Sequence, residues 1–490
     1  MSLSRSARTV VSKIEIKCKK CKIRKIRITT DENYETCQVC YGIFKINLSG
    51  NKIIDEIIRN TQVNFVTGSK DWILEFIPYD QFKDIEFIAE GGFSKIYKAI
   101  WVDGPIDYFS FKPDTDNIVR KNNFSVVLKR LNNSNNITSE ELNELKVYYQ
   151  ILSNDMISNG IGEYFGITQE PITKDMMIIM PHYELGDLMR YLSNNFYNIS
   201  WRIKLDRLSS IILGLVDIHR AKIIHRDLHS GNIFFDKDYA YIGDLGISRS
   251  ATESNNDNER YGIIPYMAPE IFHGQKYTEA SDIYSFGMIM WEFMTGRRPF
   301  LDKNHDTELI IKIIDGLRPP IVTNAPKGYI ELMKRCWHPD PVKRPIANDI
   351  SEKIDKMWLN EEEFSELNQT EIIESSDIGP ETIKGPGAIY KSRPLSCMIQ
   401  SAMSLRSSRS QTNDPFYYYQ KNNLIFTGKR KFEDDSVDDD DQSIKRRKFL
   451  EDENSDYFTK EIELDINMSS NQPCNNGYIT KEIDFDINDL

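Results

Sequence analysis

The chain lacks any uninterrupted apolar stretch near the roughly 18 to 20 residues that a membrane-spanning helix needs, so a transmembrane protein is not expected. Its first twenty residues, MSLSRSARTVVSKIEIKCKK, hold no apolar core between the basic residues and no small-residue cleavage site, which argues against a secretory leader. Cysteine is scarce, 7 in 490 residues, too few for a disulfide scaffold, and a reducing, intracellular compartment is expected. What remains suits a globular chain: 40% hydrophobic and 28% charged residues, with length for roughly three folded units, or fewer with long tails.

The net charge of −12 is unevenly spread. Residues 1–48 carry 11 Lys/Arg against 4 Asp/Glu, whereas residues 359–490 carry 15 against 27. Between them, apolar segments alternate with turn residues. The expected organisation is a basic head (1–48), a linker (49–79), one large folded domain (80–357) and a largely disordered acidic tail (358–490) rich in Ser, Asn, Asp, Glu and Lys. The tail holds a short repeat, YFTKEIELDIN at 457–467 and YITKEIDFDIN at 478–488, offset by 21 residues. Its apolar stripes, Ile462, Leu464, Ile466 and Ile483, Phe485, Ile487, have the period of a strand with one buried face. Two readings stand: a linear motif that docks a protein partner, or a duplication with none. Basic clusters at Lys429–Lys431 and Lys445–Lys448 are either a bipartite nuclear-import signal or mixed-charge chain, which leaves cytoplasm and nucleus both open.

The head contains CKKC and, fifteen residues later, CQVC: Cys18, Cys21, Cys37 and Cys40. That spacing matches a two-knuckle structural zinc ribbon, four thiolates around one metal with no open position. Two unrelated reduced pairs or a redox dithiol are the alternatives, the latter weakened by the absence of a β-α-β pattern around it. The surrounding Lys17, Lys19, Lys20, Lys22, Arg24, Lys25 and Arg27 offset the negative charge of such a site. They also form a basic stripe that attracts phosphate, but Tyr34, Tyr41 and Phe44 are scattered rather than set in a stacking series. A structural or protein-docking role is therefore expected over nucleic-acid binding.

The strongest chemistry lies between about residue 80 and residue 357. IAEGGFSKIYKAIW (88–101) reads as strand, glycine turn, strand, able to lay backbone N–H groups over phosphates, though of G-x-G-x-x-G only Gly91 is kept. VVLKRL then offers Lys129 from a strand, and the helical SEELNELKVYYQI offers Glu144 fifteen residues later as its ion-pair partner. The apolar strand ending at Met180 opens into PHYELGDL, where Gly186 permits close approach and Asp187 suits either a helix cap or a ribose. Decisive is IIHRDLHSGNIFF (223–235). Asp227 is placed to accept a hydroxyl proton, Asn232 to ligate magnesium, and Arg226 to neutralise a phosphorylated loop. Twelve residues beyond Asn232, IGDLGIS supplies Asp244, a second magnesium ligand. Further on, Glu270 and Arg344 are expected to pair when buried, and Asp282 to support the loop of Asp227 from beneath.

These motifs, HRDLHSGN, DLG, YMAPE and SDIYSFGMIMWE among them, resemble the eukaryotic protein kinases over about 280 residues. Within that family the chain resembles the tyrosine-kinase-like group and, more narrowly, the expanded kinases of arbuscular mycorrhizal fungi. The resemblance implies an α+β, bilobal fold: a β-rich small lobe (about 80–182), a helical large lobe (about 183–357), and ATP with magnesium in the cleft. It implies Lys129 and Glu144 as the ion pair, Asp227 as catalytic base, and Asn232 and Asp244 as metal ligands. Ile88, Gly91, Ile96, Val127, Met180, Tyr183, Asp187 and Phe234 would line the nucleotide pocket, with Met180 as gatekeeper.

Beyond the glycine loop, three positions depart from the pattern: DLG for DFG at Leu245, His229 where serine/threonine kinases usually carry Lys, and Ile263 where a threonine is common. Protein serine or threonine is the expected acceptor, with tyrosine or dual specificity open. A catalytically silent scaffold that binds nucleotide and protein partners is the rival. Ser248, Ser250, Thr252, Ser254 and Tyr261 are candidate phosphorylation sites opposite Arg226.

Overall fold

The computed structural model describes residues 16–17, 25–26, 49–66, 72–90, 94–107, 119–135, 142–153, 160–250, 259–363, 370–381 and 385–408. Cys18, Cys21, Cys37, Cys40, Gly91, the basic clusters and the tail repeat lie outside them. In the head, strands β1 (Ile16–Lys17) and β2 (Lys25–Ile26) pair antiparallel, Ile16 opposite Ile26. In sequence they bracket Cys18 and Cys21.

The stretch expected as a linker is not one. Helix α1 (Lys52–Val66) carries Ile54, Ile58 and Phe65 at helical spacing, all buried, and Thr61 beneath them donates to Ile58 O and accepts from Leu74 N. Strand β3 (Glu75–Phe76) follows and joins the main sheet. A polar average over 49–79 conceals this narrow apolar stripe.

The small half is a six-stranded sheet ordered β3-β7-β8-β6-β5-β4, built from β4 (Phe82–Glu90), β5 (Ser94–Trp101), β6 (Phe124–Leu131), β7 (Gly166–Gln169) and β8 (Met176–Pro181). Only the β3·β7 pairing is parallel. Side-chain alternation on β6 divides the sheet: Val126 and Leu128 enter one core with Trp101, Phe165 and Ile179, while Val127 and Lys129 face the other way. Helix α2 (Asn143–Leu152) covers that second face with Leu145, Tyr148 and Ile151.

The other half is helical. After β9 (Gly186–Asp187) come α3 (Leu188–Asn195), α4 (Trp201–Arg220) and β10 (Ile223–Ile224). Then follow β11 (Ile233–Phe235), β12 (Ala240–Ile242), β13 (Arg249–Ser250) and β14 (Tyr261–Gly262). Helices α5 (Pro269–Phe272), α6 (Glu279–Thr295), α7 (Thr307–Ile314), α8 (Tyr329–Cys336) and α9 (Ala347–Glu363) complete it. Helix α6 is predominantly apolar and buried from Ser281 to Thr295, with a Thr278/Ser281 capping box at its start and Gly296 at φ +74° at its end.

A second expectation is corrected beyond residue 357. The chain finishes α9, then forms β15 (Arg393–Pro394) and α10 (Ser396–Ser408), and Leu395, Ile399 and Ala402 enter the core of the helical half. Their i, i+4, i+7 spacing is the signal. The expectation of a largely disordered chain from 358 onward thus fails over α9 and residues 385–408, and residues 409–490 lie outside the described set. Among the described residues no helix is long and apolar enough to cross a membrane.

Candidate functional site

Strand register brings one set of side chains to the sheet face above the helical half. Ile96 lies opposite Lys129, and Met180 opposite Val127. Cross-strand partners share a face, so Ile96, Val127, Lys129 and Met180 form one surface. Ile88 is the extra residue where β4 bulges between Phe87 and Ala89, against single steps on β5.

Lys129 is 8% exposed, and its ammonium bonds two carboxylates, Glu144 Oε2 and Asp244 Oδ1, each at 2.8 Å. Glu144 sits in the first turn of α2, and its other oxygen accepts the Tyr164 hydroxyl at 2.8 Å. Burial pushes Glu144 up from the usual carboxylate range despite Lys129. At Asp244 the balance reverses: burial pushes up, but the Lys129 charge and the Gly246 N–H hold it below its ordinary value. For Lys129 itself burial opposes the charge, and the two carboxylates overcome that and raise it.

Asn143, beside Glu144, donates from Nδ2 to the carbonyls of Leu245 (3.4 Å), Gly246 (3.0 Å) and Ser248 (2.9 Å). Thus α2 grips the segment after Asp244 as well as Lys129, and Asp244 is held at φ +54°. Neither Asn143 nor Tyr164 stood out in the sequence. An asparagine beside a glutamate and a tyrosine twenty residues away belong to no motif.

The Asp227 loop is fixed from two sides. Asn232 Nδ2 donates to Asp227 O at 2.9 Å, and Asn232 O accepts Gly243 N at 2.9 Å, which ties the loop to the strand end before Asp244. From beneath, Asp282 accepts His225 N (2.8 Å) and Arg226 N (3.0 Å), and its Oδ2 lies 2.9 Å from His219 Nε2. His229 places Nε2 3.6 Å from Asp227 Oδ2 and accepts Gly231 N at Nδ1. Arg226, at φ +72°, has its guanidinium 5.3 Å above the Tyr277 ring.

The connection from β8 into β9 brings Tyr183 and Asp187 to Phe234 of β11. Phe234 pairs with Asp187 across β9 and β11, and the Tyr183 and Phe234 rings stack with centroids 5.8 Å apart. Asp187 caps α3, its Oδ1 accepting Arg190 N at 2.8 Å. Of the candidate phosphorylation sites, Thr252 and Ser254 lie outside the described residues. Ser248 is buried with its hydroxyl donated to His225 O, so in this conformation it is a structural group rather than a free acceptor. Glu270 and Arg344 pair, buried, through two bonds of 2.6 and 2.7 Å.

Among the described residues no cluster of three or more His, Cys, Asp or Glu side chains forms a metal site of its own. The donor set here is different: Asn232, tied to Asp227, and Asp244, whose side chain is 45% exposed. An amide and an open carboxylate are hard oxygen donors, and they suit a magnesium ion that keeps water and phosphate as its other ligands.

Residues 82–354 match the family described as protein tyrosine and serine/threonine kinase. Among individual relatives, a protein named as a serine/threonine-protein kinase/receptor of Acanthamoeba polyphaga mimivirus is 32% identical over 193 residues, 39% of this chain and 12% of the relative. The stress-activated protein kinase alpha of Dictyostelium discoideum is 32% identical over 231 residues, 44% of this chain and 36% of the relative. The probable serine/threonine-protein kinase roco5 of the same organism is 32% identical over 218 residues, 41% of this chain and 8% of the relative. The chain thus spans about a third or less of the length of these relatives.

Proposed function

Because the chain belongs to the protein tyrosine and serine/threonine kinase family, we propose that it transfers the γ-phosphate of ATP, with magnesium, to a protein serine or threonine. The observation that carries this is the joint engagement of Lys129 by Glu144 and Asp244. An ammonium so held is aimed at the outer phosphates before substrate arrives, and such preorganisation is the main resource of phosphoryl-transfer catalysis. Asn232 and Asp244 would hold magnesium, which when bound neutralises charge on those phosphates. Asp227 orients the acceptor hydroxyl and takes its proton. Ile88, Gly91, Ile96, Val127 and Met180 would close over the base, and Tyr183, Asp187 and Phe234 would border it.

Two of the relatives carry serine/threonine-protein kinase in their names, which supports serine or threonine as acceptor. His229 and Ile263 do not remove any of the five groups that carry the reaction, so an active enzyme is favoured over a silent scaffold. We assign the chain to the tyrosine-kinase-like group, with the expanded fungal families as the narrower placement, on the motifs quoted above, and to intracellular signalling in cytoplasm or nucleus. The Cys18, Cys21, Cys37, Cys40 spacing supports a structural zinc ion in the head, and head and tail repeat would dock protein partners; zinc content of the purified chain checks the first. The kinase reading is tested by incubating the chain with labelled ATP and a generic acceptor protein, with phosphosites read by mass spectrometry. Incorporation lost in Asp227→Asn, with the fold retained, is the expected result, and wild-type incorporation in that variant overturns it.

A further inference from the structure

The segment beyond α9 stays on the domain. Gly379 N donates to Thr295 O (2.7 Å), Gly385 N to Leu301 O (2.9 Å), and His305 N to Gly387 O (2.9 Å). Tyr390 then anchors, its hydroxyl on Pro299 O at 2.8 Å and the Arg298 guanidinium 4.8 Å above its ring. At the far end α10 packs on α7, with Arg406 bound to Asp315 at 2.9 Å. The residues between these two anchors run past the cleft.

There β15 pairs antiparallel with β14, Arg393 opposite Gly262 and Pro394 opposite Tyr261. Leu395 N donates to Arg260 O at 2.7 Å, Arg260 N to Ser396 Oγ at 2.8 Å, and Arg393 Nη2 to His305 O at 2.8 Å. Carrying that register one residue further sets Ser392 across from Ile263, and Ile263 lines one small cavity together with Asp227. On the opposite side, Lys391 Nζ donates to Glu90 O at 3.1 Å, the last residue of β4 before the glycine turn. The neighbours of Ser392 are therefore bonded, one to the sheet above the cleft and one to the strand below it. Ser392 is half-buried, and among the described residues its hydroxyl has no hydrogen-bond partner. A strap held only by Tyr390, Leu395 and α10 would need neither the β14 pairing nor the Lys391 bond.

We propose that Ser392 is an acceptor of the chain's own phosphoryl transfer, presented in cis by the β14–β15 pairing. The proposal rests on the kinase reading above. In the step, Ser392 Oγ forms the new bond to the γ-phosphorus while the bond from that phosphorus to the bridging oxygen breaks. ADP departs with the electron pair, and the hydroxyl proton passes to the Asp227 carboxylate. Because the β14–β15 pairing holds this serine on the same chain beside the segment of Ile263, its reaction is unimolecular, an advantage that a freely diffusing acceptor lacks.

The test uses the full chain, treated with phosphatase, then given magnesium and ATP with myelin basic protein present as a foreign acceptor. Site-resolved mass spectrometry follows both. Phosphate is expected on Ser392 with first-order kinetics whose rate constant does not change with chain concentration. Leu395→Pro removes the N–H that bonds Arg260 O; Ser392 labelling should slow by about tenfold or more while the foreign acceptor is still labelled. A labelled foreign acceptor with Ser392 bare overturns this inference and leaves the kinase reading intact. Ser392 labelling whose rate climbs with chain concentration overturns delivery in cis. Label on neither protein overturns the kinase reading and this inference with it.

Discussion

Arg344 meets Glu270 through two parallel bonds, Nη1 to Oε1 at 2.6 Å and Nη2 to Oε2 at 2.7 Å, with both side chains shut off from water. The same guanidinium donates to Ala280 O in the first turn of α6 and to His338 O beyond α8. A buried pair of this kind stabilises little against an apolar substitute, but removing one partner strands the other charge. Arg344→Met should therefore lower the unfolding free energy by about 3–5 kcal/mol, and Arg344→Met with Glu270→Leu should recover more than half of that. Denaturant unfolding of the three proteins decides it, and a single variant within about 1 kcal/mol of wild type would mean that Glu270 is reached by solvent.

Lys129 serves two carboxylates at once, so its loss has consequences at both. Lys129→Met keeps the volume of the side chain and leaves Glu144 and Asp244 facing each other without a cation. Turnover should fall by about a thousandfold. Asp244 is held below its ordinary value in the folded chain, so its contribution to stability is present above pH 3.8, the unfolded value, and fades as pH falls through the lower folded value. The stability gap between wild type and Lys129→Met should thus be wide at pH 7 and narrow on acidification, as protonated carboxyls no longer need the ammonium. A gap that is constant with pH refutes the electrostatic account.

The residues around Asp227, Asn232 and Asp244 were legible in the sequence because each motif is a short loop whose spacing is set by one local turn. The strands that carry Ile96, Lys129 and Met180 were readable from apolar runs bounded by turns. What the chain hid was long-range or narrow. Asn143 acts on carbonyls more than a hundred residues away, and Tyr164 reaches Glu144 through the fold. Helix α1 and helix α10 each bury only a few apolar side chains within polar surroundings, so composition averaged over 49–79 and 358–490 concealed both. Strand β15 is two residues long, and only its pairing with β14 gives it meaning.

Glu292 lies fully buried in α6 and accepts the Tyr266 hydroxyl at 2.6 Å; that hydroxyl also lies 2.9 Å from Ser230 Oγ. Burial pushes Glu292 up to about 8. The folded chain therefore keeps it protonated where the unfolded chain, with a value of 4.5, does not. Its stabilising contribution is complete below 4.5 and is lost as pH rises through about 8. Relative to Glu292→Gln, wild type should lose about 1.4 kcal/mol per pH unit across that window and level off above it. Urea midpoints for the two proteins between pH 6 and pH 9 check this; parallel curves would show that Glu292 ionises at its ordinary value.

Asp282 holds the Asp227 loop by accepting two successive backbone N–H groups, of His225 and Arg226, the second at φ +72° where a side chain is unfavourable. That conformation costs on the order of 1–3 kcal/mol and persists only while something over-determines it. Asp282→Asn keeps the shape but has one acceptor oxygen, so its amide N–H₂ must face one of the two backbone donors. The loop should then relax and displace Asp227, while the bonds of Lys129 to Glu144 and Asp244, which Asp282 does not contact, stay in place. Turnover is expected to drop by about tenfold to a hundredfold, since a displacement near 1 Å is enough. The KM for ATP should stay close to that of wild type, and the same split should persist at saturating acceptor. If the KM for ATP rises while turnover holds, Asp282 supports the nucleotide side of the cleft instead, and the link from α6 to the Asp227 loop is wrong.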